Sequence, residues 1–137
     1  LSAEHRPIEP NVAAAAGCSS AYPPVREIYQ RHPGCAIMRP IERVSCPTTT
    51  LDDFLAERGV EVVHDTQGFE HRILRGSEKA LHSCHFFLVE VEFNTLYEGQ
   101  PLFCDVDKFL RDRGFVLWRP GNSPTRRPSR CQVTSIT

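Results

Sequence analysis

The sequence has no glycine-rich GxGxxG or Walker-type turn between a strand and a helix, no GxSxG nucleophile elbow and no CxxC pair. The first absence removes the usual phosphate cradle and the second the usual serine-hydrolase site. With 16 basic and 17 acidic residues it also lacks an excess of either charge, so no global field draws it to nucleic acid or to an anionic membrane. Its longest apolar run is too short to span a bilayer, and no charged-then-apolar leader opens the chain. The six cysteines, Cys18, Cys35, Cys46, Cys84, Cys104 and Cys131, are irregularly spaced, and several adjoin apolar runs. They are read as reduced thiols of a cytoplasmic protein rather than as a disulfide framework.

What is present begins with size. A chain of 137 residues is a single domain with a modest core. The segment 1–16, including Ala13–Ala16, has weak periodicity and is expected to be irregular. Prolines at 23, 24, 33, 40 and 47 break up the region before Thr50, leaving Val25–Arg31 as a short helix and Ile41–Cys46 as an edge strand. Residues 120–137, with Arg126, Arg127 and Arg130 among Pro and Ser, are expected to form a solvated, disordered tail.

From Thr50 onward the pattern sharpens. Thr50 can cap a helix whose third position is Asp53, and Gly59 supplies a left-handed stop. Val60–Val63 reads as a short strand. A helix is predicted from about Gly68 to His82, with Phe69, Ile73, Leu74, Ala80 and Leu81 on one stripe. Phe86–Phe93 follows as a strand, its first half apolar enough to be covered on both faces. Leu102, Val106, Phe109 and Leu110 line a third helix that ends at Gly114, and Phe115–Trp118 is the last strand. Helices alternating with buried strands predict an α/β fold with a mostly parallel sheet.

The stretch Asp65-Thr66-Gln67-Gly68-Phe69-Glu70 would lie where open α/β sheets bind ligands, at the carboxyl ends of the strands. Asp65 either points its carboxylate into that cleft or caps the following helix. Glu70 lies in the first helical turn, where the macrodipole favours an anion, and reads either as a site residue or as a surface carboxylate. Glu90 and Glu92 project to one face of their strand. They belong either to a ligand cleft with Asp65 or to the wet face of an edge strand. Three carboxylates at one sheet edge would suit a hydroxyl-rich or cationic ligand, or general-base work. His64, His71, His82, Cys84 and His85 match no recurring zinc spacing, so no metal site is assigned.

In serial order, Thr48–Val60, Asp65–Glu70, Ile73–Leu81, Leu88–Phe93 and Leu96–Phe103, with Gly17–Pro24 upstream, the chain resembles the C-terminal part of FkbM-type methyltransferases over about residues 17–119. The resemblance implies a class I methyltransferase (Rossmann-like) fold, S-adenosylmethionine as cofactor, and O-methyl transfer to a small-molecule or sugar hydroxyl. Asp65, Glu70, Glu90 and Glu92 would then be the catalytic candidates, with Asp65 and Thr66 touching the cofactor. The family's N-terminal strands and their glycine-rich loop are missing, and its fourth strand is shortened. The resemblance therefore implies a truncated copy that binds cofactor weakly alone and leaves an unpaired sheet edge open to self-association. The alternative is a non-catalytic remnant acting as an interaction module through that edge.

Overall fold

The computed structural model describes residues 1–58, 66–121 and 130–135. Gly59, the strand expected at 60–63, His64 and Asp65 lie outside the described residues. The elements run β1 (Asn11–Ala13), α1 (Arg26–Arg31), β2 (Pro40–Arg43), α2 (Leu51–Arg58), α3 (Glu70–Arg75), α4 (Glu78–Ser83), β3 (Phe86–Glu90), α5 (Phe103–Arg111), β4 (Phe115–Gly121) and β5 (Arg130–Ser135). Among the described residues no helix is long and apolar enough to cross a membrane.

Within the N-terminal segment expected to be irregular lies one short strand, β1. β1 pairs antiparallel with β2 in the register Asn11↔Arg43 and Val12↔Glu42, and Ile8 bridges Cys46. A strand of three residues is too short to show a period, and so it escaped the sequence pattern.

The second sheet has the order β3-β5-β4, with β5 antiparallel to both neighbours. Since β3 and β4 each oppose β5, they point the same way, and α5 is the crossover between them. The parallel pair expected there is split by a third strand, so both described sheets are bonded antiparallel. The inserted strand comes from the tail read as disordered. Cys131 and Val133 alternate with Gln132 and Thr134, a period of two hidden behind the arginines. They stand opposite Val89 and Phe87 of β3.

α5 packs on the sheet through Val106 and Leu110, which meet Val89, Val91 and Phe115 in a core completed by Leu74 and Leu81. Burying each such Val or Leu contributes about 1.5–3 kcal/mol. One face of β3 is open over its first part and closes at Glu90. Phe86 and Leu88 are 53% and 49% exposed, so the strand is not enclosed on both sides as its apolar run predicted.

The helix predicted from Gly68 to His82 is broken into α3 and α4 at Gly76 and Ser77. The buried stripe survives in Phe69, Ile73, Leu74 and Leu81. At the break the Ser77 hydroxyl donates to the Leu74 carbonyl at 2.6 Å. The new N-terminus of α4 is capped from outside: Asp52 accepts from Lys79 N–H at 2.9 Å and from Ala80 N–H at 2.8 Å. Its neighbour Asp53 accepts from the Thr50 hydroxyl at 2.6 Å and donates its N–H back at 3.1 Å, which realises the predicted cap of α2. Thus α2 caps itself with one carboxylate and α4 with the next.

Candidate functional site

The turn before α3 is set by backbone conformation. Gln67 has φ 51° and Gly68 φ 90°, the left-handed region that glycine tolerates and glutamine rarely enters. A Cβ on Gly68 would also approach Gln100 Nε2 to 3.2 Å. Two other segments hold this turn. Ser20 donates its hydroxyl to the Gln67 carbonyl at 2.7 Å. Tyr97, 1% exposed, donates its hydroxyl to the Cys18 carbonyl at 2.9 Å, with Gln67 Oε1 at 3.4 Å. The Tyr97 loop is closed in turn by Gln100, whose Oε1 accepts from the N–H groups of Leu96 and Tyr97.

Glu70 is not a surface carboxylate. Its Oε1 accepts from both the N–H and the hydroxyl of Thr66 at 2.9 Å. These bonds clamp the start of the turn to the first turn of α3 and commit both Thr66 donors within the motif. Glu70, Glu90 and Glu92 are each 8% exposed, so Glu90 and Glu92 do not form a wet edge either. All three carboxylate residues border one cavity with Gly68, His71, Pro101 and Val106. The structure therefore brings together three of the four carboxylates singled out in the sequence; the fourth, Asp65, lies outside the described residues.

The cavity measures ≈ 10 Å³, about the room of one water molecule. His71, at the same rim, has its pKa lowered from 6.5, chiefly by burial and then by Arg75. Its imidazole is held toward the neutral form, edge-on to Phe109 with ring centroids 5.1 Å apart. Pockets for ligands of drug size run to about 300–1,000 Å³. The cavity between these carboxylates is thus far too small for an adenosyl group.

Among the described residues no group of three or more His, Cys, Asp or Glu side chains is placed to hold a metal. The polar anchors Ser20, Tyr97 and Gln100 escaped the sequence reading as functional positions. Tyr97 and Gln100 lie in the loop Leu96–Phe103, which entered the sequence reading only as part of the family resemblance. The role of Tyr97 depends on contacts with residues 30 or more positions away, beyond the reach of local pattern.

The described residues combine helices with two antiparallel sheets in a mixed α/β fold. Residues 8–117 match the methyltransferase FkbM domain, which fixes the class more closely: the chain belongs to that family. No curated protein and no solved structure matches it.

Proposed function

We propose that the chain carries the acceptor-facing carboxylates of an S-adenosylmethionine-dependent O-methyltransferase, acting on a hydroxyl of a small molecule or sugar. The observation that carries this reading is the convergence of Glu70, Glu90 and Glu92 on one cavity beside the Gln67–Gly68 turn. In it, Glu90 and Glu92 orient an acceptor hydroxyl by accepting its hydrogen bond, and Asp65 is a further catalytic candidate from the same motif. Glu70 and Thr66, bonded to each other, position the turn on which this arrangement depends. Because the cavity at these carboxylates is too small for an adenosyl group and the sequence has no glycine-rich cofactor loop, the chain alone is expected to bind S-adenosylmethionine weakly or not at all. Calorimetric titration that returned a micromolar constant would overturn that expectation. Transfer of labelled methyl from the cofactor to a panel of small alcohols and sugars tests the reaction itself. Product that disappears in Glu90→Gln supports the assignment. Labelling at high cofactor concentration that is unchanged in both Glu90→Gln and Glu92→Gln defeats it.

A second reading, a non-catalytic interaction module, is favoured by the exposed Phe86 and Leu88 of β3. Sedimentation velocity separates the two. Concentration-dependent dimerisation that is abolished by Phe86→Ser with Leu88→Ser favours the module.

A further inference from the structure

A second concavity lies away from the carboxylate cavity, between α1 and the β1–β2 sheet. It is an open groove of ≈ 500 Å³, within the range of small-ligand sites. Its floor is built. Residues 23–25 run antiparallel to 96–98, with Val25 N–H on the Leu96 carbonyl at 2.9 Å and Glu98 N–H on the Pro23 carbonyl at 2.7 Å. Arg26, Tyr29, Ile41, Glu42, Arg43 and Glu98 line it.

Two features of the lining point to a ligand. First, Arg43 is aimed from behind: its Nε donates to Asn11 Oδ1 at 3.1 Å. Asn11 is itself buried and tied to Ser20 through its amide and its backbone. That leaves the terminal nitrogens of the guanidinium free to form a fork on a carboxylate or phosphate. Second, among the described residues neither Arg26 nor Arg43 forms an ion pair with a carboxylate, although Glu42 and Glu98 line the same groove. Two arginines supply sites for an anionic group, two glutamates supply acceptors for hydroxyls, and Tyr29 with Ile41 supplies apolar surface for the C–H face of a ring. One chemistry uses all three.

We propose that this groove binds an anionic sugar, a ring bearing hydroxyls and one carboxylate or phosphate, with the anion at Arg43 and Arg26 and the ring against Tyr29. The site is separate from the carboxylate cavity and does not depend on methyl transfer.

Backbone amide shifts of the 15N-labelled chain, followed during titration with glucuronate, glucose 6-phosphate, glucose and inorganic phosphate, test this. Saturable shifts at Arg26, Tyr29, Arg43 and Glu98 are expected with one or both anionic sugars, and which one binds identifies the anion. Glucose and phosphate are each expected to bind about tenfold more weakly or less, since each lacks half of the recognised chemistry. Arg43→Ala is expected to weaken the anionic sugar by about tenfold or more, and Tyr29→Ala to bring its affinity down to that of phosphate alone. Arg26, Arg43 and Glu98 are exposed and Tyr29 is partly exposed, and unchanged spectra elsewhere verify that each variant folds. The proposal is overturned by an absence of saturable shifts, by shifts confined to other residues, or by phosphate binding as tightly as the sugars, which would mark an unspecific anion patch.

Discussion

Glu70 ties the Thr66–Gly68 turn to α3 through one oxygen atom, so its substitutions separate charge from acceptor capacity. Glu70→Ala strands two Thr66 donors in a partly buried turn, and the expected loss is about 1–3 kcal/mol of unfolding free energy. Glu70→Gln keeps an acceptor in place and should lose less; urea denaturation of the two variants reads the difference. Tyr97→Phe keeps the packing of a fully buried ring and removes only its hydroxyl, bonded to the Cys18 carbonyl. A loss of about 0.5–1.5 kcal/mol is expected. His71 sets a pH dependence. Burial and Arg75 depress its folded pKa below the 6.5 of the unfolded chain, while Asp105 opposes them. Below about 6.5 the unfolded state therefore binds the proton first, and stability falls as pH drops from there toward the depressed folded value. Below that value the difference is constant. His71→Asn is expected to flatten this part of the stability curve, measured by denaturation at a series of pH values, whereas carboxylate-driven losses at lower pH remain.

At the scale of elements, the break between α3 and α4 is the feature that local pattern misses. The apolar stripe from Phe69 to Leu81 fits one helix, and neither Gly76 nor Ser77 alone forbids it. The break has a tertiary cause. A Cβ on Gly76 would stand 2.4 Å from the Ser2 carbonyl oxygen and 3.0 Å from Ala3 Cα, both backbone atoms of the N-terminal segment crossing the joint. Gly76→Ala must therefore displace that segment, costing about 1–3 kcal/mol. At Gly34, where a Cβ meets nothing within 4 Å, the same change should be close to neutral, and parallel thermal melts compare the two. What was legible follows the same logic. The Thr50–Asp53 cap and the Gly114 stop are local chemistry and could be read directly. The capping of α4 by Asp52 spans 27 and 28 positions and could not. The carboxylates Glu70, Glu90 and Glu92 were identifiable because residue type and strand parity are local; that Glu70 is buried and bonded to Thr66 emerged only with the fold.

For the molecule as a whole, the order β3-β5-β4 makes the C-terminal strand a structural member of the core sheet. β3 and β4 share no hydrogen bonds with each other, since each pairs with β5. Removing residues 130–137 would leave the inner edges of both strands without a partner, next to a β3 face already exposed at Phe86 and Leu88. Unpaired N–H and C=O groups beside exposed apolar side chains favour pairing between chains. The truncated protein is therefore expected to lose amide-exchange protection along Phe86–Glu90 and Phe115–Leu117 and to sediment as higher oligomers. α2, capped by its own Thr50 and Asp53, should retain its protection. Unchanged protection in β3 after the truncation would mean that β5 contributes nothing to holding the sheet, and the core would then rest on α5 packing alone.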